Sequence, residues 1–516
     1  MILPNHPPFP HSPIWGRGYN HTFRWNNVVV NHIFRWNNVI CITFSDGIII
    51  SQCATIRAEG VNMQRDVYKK IISWNNSRKR KPLILMGARQ VGKTWLMDAF
   101  ANEFYPDSHV KIDLQRDDLL RERIDHSNID PKTIIDLIQM STGKHVIPGK
   151  TLLLIDEIQE SHKALNSLKY FNQEMPELAI IVAGSLLGLA MGKSGETRKG
   201  KERGSFPVGK VSFLDVHPMS FTEFVRATDN PFRLKALENG DWELIESQQE
   251  DYKSLLRKYL FIGGMPEVVA NFTENEDFME VRRTQNEILA AYDADFVKHA
   301  PPELLAKIRL LWKNIPAQLA KDNKKFIYTA LKSGARAREY ESALNWLDDA
   351  GMIHQVFRAA PPRLPLASYQ DFSAFKLYMH DVGLLGAMSA TTPPMLLDGN
   401  ALFTNFKGAL AEQFVLQELV SEGIAPNYWT SDSGNAEVEF VIQGATAVFP
   451  VEAKAGVNTK AKSLKIFREL FNPPYAIRTS LQPHHDGADV KDIPLYAFGR
   501  HVANLINASD TKPATS

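Results

Sequence analysis

Cysteine is nearly absent from this chain. Two residues, Cys41 and Cys53, are all that 516 positions hold, and none follows Met63. A disulfide scaffold and a thiolate metal site are thereby excluded from the long remainder, which fits a cytoplasmic protein. Long apolar runs are missing too. The longest candidate, Val39–Ile50, is interrupted by Asp46 and falls short of the roughly 18–20 residues that span a bilayer. No membrane partner is expected. Charge of one sign is also lacking: 59 Lys and Arg against 58 Asp and Glu leave a net +1. No global field draws the chain to nucleic acid, so any such binding needs a local patch. What the chain has is length, which implies several domains.

The clearest positive feature is Lys81–Thr94, KPLILMGARQVGKT. It fits G-x-x-x-x-G-K-[ST], with Gly87, Gly92, Lys93 and Thr94 in the fixed places and Ala88, Arg89, Gln90 and Val91 between them. The apolar run Leu83–Met86 precedes it and Trp95–Phe100 continues with helical spacing. That is the strand–loop–helix setting the motif requires. Such a loop turns its backbone N–H groups around phosphate oxygens, and the following helix faces them with its positive end. Lys93 is expected to reach the β- and γ-phosphates, and Thr94 to offer its hydroxyl to Mg²⁺. This is a nucleotide-phosphate site.

Further strands are expected at Val110–Leu114, Thr151–Glu157, Leu178–Ala183 and Lys210–Val216, separated by helical stretches. That alternation implies an α/β fold with a parallel sheet covered on both faces, and a site at the carboxyl edge of its strands. Asp156 and Glu157 end the strand TLLLIDE. Asp156 suits a Mg²⁺ ligand and Glu157 the catalytic acid that orients or deprotonates water, with Lys93 the catalytic cation. The alternative is a pair of helix caps. Ser185, after the next strand, is placed either to sense the γ-phosphate or simply to make a turn.

Taken in order, GARQVGKT, LLLIDE, VAGSLLG, PVGKVSFLDVHPMSFTEF and YLFIGGMPEVV resemble a family of prokaryotic AAA-type ATPases. Members carry a C-terminal domain of unknown function related to restriction endonucleases. The resemblance runs from about Met63 to the end. It implies an additional-strand P-loop NTPase core with Walker A and Walker B motifs, ATP as the nucleotide, and a G-x-P turn near its base, which here brings in Pro266; a plain inter-helix turn is the other reading of Gly263–Pro266. Where the family commonly has Arg, this chain has Lys210, a point charge without the bidentate fork. Arg198 and Arg203 are other candidate donors, and no arginine finger is assigned.

The expected organisation is an ATPase core over 63–230, a helical lid over 231–300, a winged-helix-like segment over 301–360, a Pro-rich linker over 361–400 and a restriction-endonuclease-like domain over 401–516. Residues 1–62, with the repeat NHTFRWNNV/NHIFRWNNV, read as a disordered or non-native extension, with a two-stranded hairpin as the alternative. In the winged-helix-like segment, helices are expected near Phe326–Leu331 and over Ala337–Ala350, then a strand over Met352–Phe357. Arg336, Arg338 and Arg358 face Glu339, Glu341, Asp348 and Asp349 in number, so contact with DNA and packing against protein both stand as readings. In the last domain Glu439 and the Glu452-x-Lys454 step, with Glu412 on a preceding helix, resemble an endonuclease metal site. Family members usually carry Asp where Glu439 stands. The same residues also fit an ordinary half-wet strand and a structural ion pair.

The function expected is an ATP hydrolase that uses ATP and Mg²⁺ to rearrange its C-terminal modules. A DNA or protein partner and a homo-oligomer are both compatible with it. The alternatives are an ATP-regulated nuclease and a slow signalling switch.

Overall fold

The computed structural model describes residues 63–190, 209–321, 324–397, 407–455 and 462–509, together with strands within residues 23–48. The chain divides into two units, Met1–Asn62 and Met63–Ser516. In the first, strands Phe23–Trp25, Val28–Trp36, Val39–Phe44 and Gly47–Ile48 form an antiparallel sheet in sequence order. The FRW of one repeat copy makes the first strand and that of the other ends the second. The rest of residues 1–62, the stretch read as a disordered or non-native extension, lies outside those described.

The second unit begins with five parallel strands: β1 (Leu83–Met86), β2 (His109–Asp113), β3 (Leu152–Asp156), β4 (Ala179–Ala183) and β5 (Ser212–Asp215). Their order is β2-β3-β4-β1-β5, so β4 is inserted between β1 and β3. The runs LILM, LLLID and AIIVA have apolar side chains for both faces. Leu83, Leu85, Leu152 and Leu154 pack to one side, while Ile84, Leu153 and Ile155 pack to the other. All-parallel sheets occur almost only with both faces covered by helices. The ends of β1, β3 and β4 deliver Gly87, Asp156 and Ser185 to one edge.

Helix α1 (Lys93–Phe104) leaves that edge, burying Leu96, Met97 and Phe100. Helix α2 (Phe221–Thr228) starts at a capping box between Ser220 and Glu223. Four helices, from Pro231 to Asn275, lead to α3 (Phe278–His299), α4 (Pro302–Leu319) and α5 (Ala337–Asp349). Phe326–Leu331, expected as a helix, makes only the three-residue 3-10 turn Tyr328–Ala330. The reason is tertiary: Phe326 donates its backbone N–H to Phe375 O at 2.8 Å and stacks on the Phe375 ring.

β6 (Ile353–Ala359) and β7 (Gln370–Met379) form an antiparallel pair, followed by α6 (Val382–Met388). Both β7 and α6 fall within 361–400, the stretch read as linker. Pro361, Pro362 and Pro365 all precede β7, and Ala374–Met379 is buried throughout. Helix α7 (Lys407–Ser421) follows, then β8 (Asn427–Thr430), β9 (Glu437–Gln443), β10 (Val448–Ala453), β11 (Ala476–Ser480), β12 (His485–Asp486) and β13 (Val490–Pro494). With β6 and β7 these make one eight-stranded mixed sheet in the order β7-β6-β8-β9-β10-β11-β13-β12. Helix α7 ties this sheet to the helices around the first one. Gln417 donates to the Tyr259 hydroxyl at 2.9 Å, and Glu418 accepts Phe221 N–H at 2.8 Å. Among the described residues no helix is long and apolar enough to cross a membrane.

Candidate functional site

The loop between β1 and α1 is built on two glycines. Gly87 has φ +134° and Gly92 φ +93°, conformations that L side chains avoid. A Cβ on Gly87 would also fall 2.1 Å from Val216 O. The loop encloses Lys93, whose Nζ donates to Gly87 O at 2.9 Å and Ala88 O at 2.7 Å. Burial pushes the Lys93 ammonium down to about 8, against the pull of Glu157 and Asp156. Thr94 Oγ1 donates to Asp156 Oδ2 at 2.8 Å, joining the start of α1 to the end of β3. Burial raises the Asp156 carboxyl, partly offset by this hydrogen bond. A hydroxyl beside a carboxylate is the protein half of a nucleotide-borne Mg²⁺ site, in which phosphates and water supply the remaining oxygens. The pair fits that ion.

Glu157 sits in the left-handed region, φ 49°. Its Oε2 accepts from Ser185 Oγ at 3.2 Å and from Gln159 Nε2. Gln159 can lie there because residue 184 is glycine: a Cβ would stand 2.0 Å from Gln159 Oε1.

The outer side of the loop is gripped from far along the sequence. Arg65, 4% exposed, donates to Val91 O at 3.0 Å and His217 O at 2.6 Å, and pairs with Glu223. From α3, Tyr292 donates towards Arg89 O at 2.9 Å, and Asp295 pairs with the Arg89 guanidinium. Pro266 and Gly351 also face the loop. A Cβ on Gly92 would lie 3.5 Å from Pro266 Cγ, and one on Gly351 3.1 Å from Ala88 N.

A second constellation lines a cavity of about 540 Å³ among α7, β9 and β10, and includes Glu412, Glu439, Glu452 and Lys454. Lys454 lies 2.7 Å from Glu452 and 3.4 Å from Glu439. Glu412 pairs with Lys324 and accepts from the Tyr378 hydroxyl at 3.1 Å. Lys376, 0% exposed on β7, lies 2.5 Å from Glu437 and 3.9 Å from Glu412. Burial pushes Glu439 up to about 7, with Lys454 opposing and Glu412 adding to the rise. Burial acts the same way on Glu412, but Lys324 and Lys376 outweigh it and hold the carboxyl below its ordinary value. Oε2 of Glu439 and Oε2 of Glu452 are buried without a hydrogen-bond partner. Even so, among the described residues no three His, Cys, Asp or Glu side chains stand in a metal-holding arrangement. Each of these acids also stands beside a lysine.

Comparison with known proteins bears on the first site. Residues 79–225 match the family model of an AAA domain. That match spans the stretch holding the phosphate loop and the acid pair. Residues 253–394 and 407–498 match two further models, each a domain of unknown function (DUF8612 and DUF4143). No curated protein matched. Among solved structures, the Walker-type ATPase PABY2304 of Pyrococcus abyssi is 15% identical, with 63% of this chain and 96% of that one covered and a TM-score of 0.39. The ORC1 protein of Aeropyrum pernix, solved in complex with DNA, is 11% identical, with coverage of 64% and 93% and a TM-score of 0.26. At these scores neither likeness carries an argument.

Within the matched stretch, Gly87 to Thr94, Asp156, Glu157 and Ser185 lie together at one sheet edge, and Pro266 reaches it from the start of helix Pro266–Asn275. Arg198 and Arg203 lie outside the described residues. Sequence reasoning missed Arg65, Gln159, Tyr292 and Asp295 beside the loop, and Lys324, Lys376 and Glu437 at the cavity. Only Gln159, two residues past the acid pair, had any signal to find it by.

Proposed function

We propose that the chain is an ATP hydrolase that uses ATP binding and hydrolysis to rearrange its C-terminal modules. The observation that carries this reading is the Thr94–Asp156 hydrogen bond of 2.8 Å, which unites the two halves of a phosphate site. Loop amides of Gly87–Thr94 cradle the phosphates, and Lys93 exchanges two carbonyl acceptors for the β- and γ-oxygens. Thr94 and Asp156 hold Mg²⁺, which neutralises charge on those oxygens. Glu157 accepts the proton of the attacking water, Ser185 senses the γ-phosphate, and Pro266 borders the base. Positioning and charge neutralisation do most of the work in such a transfer. Glu157→Gln should therefore bind ATP like the parent and lose hydrolysis by at least about a hundredfold, the lower end of what a positioned base contributes. Hydrolysis at the parent rate would sink the assignment of Glu157.

A second reading, an ATP-regulated nuclease, draws on the meeting of Glu412, Glu439, Glu452 and Lys454 in one cavity. We read 401–516 as a restriction-endonuclease-like domain that does not cut efficiently, because lysines stand against the acids that a metal would need. The winged-helix-like segment and this domain are the surfaces we assign to a DNA or protein partner. The purified chain should fail to nick supercoiled plasmid in Mg²⁺ or Mn²⁺, with or without ATP. Robust nicking that disappears on Glu452→Gln would promote the nuclease reading.

A further inference from the structure

Arg89 is held by α3 at both its ends. The Tyr292 hydroxyl lies 2.9 Å from Arg89 O. Three residues on, along the same face of the helix, Asp295 pairs with Nη1 of the guanidinium. The two partners differ in burial: the Asp295 side chain is 6% exposed and that of Arg89 36%. Oδ2 of Asp295 is buried without a hydrogen-bond partner, so the carboxylate relies on Arg89 for its counter-charge. The reverse does not hold. Of the five N–H donors that an arginine carries, only those on Nη1 have a hydrogen-bond partner among the described residues.

The place of Arg89 in the loop gives those remaining donors a use. Nζ of Lys93 lies 2.7 Å from Ala88 O, the carbonyl of the peptide that joins Ala88 to Arg89. The two cations therefore start from neighbouring groups of one loop. Burial lowers the Lys93 ammonium to about 8, with Glu157 and Asp156 opposing and the Arg89 charge adding to the fall. Lys93 thus already answers two carboxylates, and a triphosphate brings further negative charge to the same place.

Other cations of the chain are badly placed to meet that charge. Strand β5 starts beside Leu83 and ends beside Met86. Lys210, two residues ahead of β5, therefore lies at the amino end of the sheet, where Lys81 donates to Gly209 O at 2.8 Å. The phosphate loop follows the opposite end. Arg65 is committed to Val91 O, His217 O and Glu223 on the outer side of the loop.

We propose that the Arg89 guanidinium, anchored through Nη1 by Asp295, hydrogen-bonds the γ-phosphate and is the contact that distinguishes ATP from ADP. The proposal rests on the phosphate-site reading above and gives a role to a side chain that reading leaves unused. A planar fork keeps one nitrogen on Asp295 and turns another to the phosphate, whereas lysine offers a single charged centre for both. Because Asp295 fixes the guanidinium before nucleotide arrives, little side-chain freedom is lost on binding. The loop amides and Lys93 hold the β-phosphate that both nucleotides share, and Arg89 adds the hold on the third.

The test is calorimetric binding of ADP and of a non-hydrolysable ATP analogue, each with Mg²⁺, to the full chain and two variants. Arg89→Gln combined with Asp295→Asn removes both charges at once, so no buried carboxylate is orphaned and a hydrogen-bonding pair remains. It should weaken the analogue about tenfold to a hundredfold, the worth of a hydrogen bond to a charged group, and ADP by less than about twofold. Arg89→Lys keeps a cation for Asp295 and repeats the comparison with the charges intact. It should lose at least about threefold of the preference for the analogue over ADP. If both nucleotides weaken equally, or if neither variant shifts their ratio, the pair only fastens α3 to the loop and the proposal falls alone. If the parent binds neither nucleotide, the phosphate-site reading fails and the proposal falls with it.

Discussion

Glu418 offers a prediction that can be worked through in numbers. It is 2% exposed on α7, with Oε1 accepting Phe221 N–H at 2.8 Å at the start of α2. Its Oε2 lies so close to Gly499 that a Cβ there would come within 2.2 Å. Burial pushes this carboxyl up to about 8, and nearby Glu422, Glu223 and Asp66 add to the rise. In the unfolded chain the same group ionises near 4.5. Between those values the folded protein holds a proton that the unfolded chain has lost, so unfolding free energy falls as pH rises. The slope is about 1.4 kcal/mol per pH unit, which accumulates to about 3 kcal/mol at pH 7. Glu418→Gln keeps an acceptor for Phe221 N–H and does not titrate. Relative to the parent, it should gain about 2 kcal/mol between pH 5.5 and 7. Urea unfolding at both pH values measures this directly. If the difference between variant and parent is the same at the two pH values, Glu418 is ionised in the folded state and the argument from burial fails.

Two further outcomes follow from the geometry. Gly87→Ala should abolish binding of a fluorescent ATP analogue, because its Cβ meets Val216 O at 2.1 Å in a backbone conformation of φ +134°; binding within about threefold of the parent, about 0.7 kcal/mol, would show that the loop has another shape. Lys376→Met strips a buried cation from Glu437 and Glu412, and breaking such a pair costs about 3–5 kcal/mol. A loss below about 1 kcal/mol in urea at pH 7, the scale of solvent-exposed pairs, would mean that water screens the cavity.

The phosphate loop and the acid pair were legible because their chemistry fixes their spacing, and because LILM and LLLID read as buried strands from composition alone. The carboxyl-edge rule then brought Gly87, Asp156 and Ser185 together without coordinates. Glu452 and Lys454 were legible for a similar reason, since strand side chains repeat every two residues. Partners distant in sequence were not. Lys324 reaches Glu412 from 88 positions away, and Tyr292 reaches Arg89 from 203. Neither obeys a spacing that a sequence could display. Phe326–Leu331 had apolar residues at plausible helical intervals, but Phe375 offered its backbone a strand-like hydrogen bond and won. β7 was hidden by the prolines upstream of it, which mark a turn and say nothing about Ala374–Met379.

The eight-stranded sheet has a consequence for how this protein can be taken apart. β6 and β7 belong to the segment before residue 400 and β8 to β13 to the one after it, yet β6 and β8 run side by side, with Asn427 Nδ2 donating to Phe357 O at 3.0 Å. Lys376 on β7 and Lys324 ahead of it supply the cations for acids on α7 and β9. Severing the chain near 400 would bare a strand edge on each fragment and orphan charges on both, and bared edges invite pairing with any other chain. Either half made alone is therefore sticky, and the two made together are templates for each other. Sequence similarity divides this chain near residue 400; the eight-stranded sheet does not.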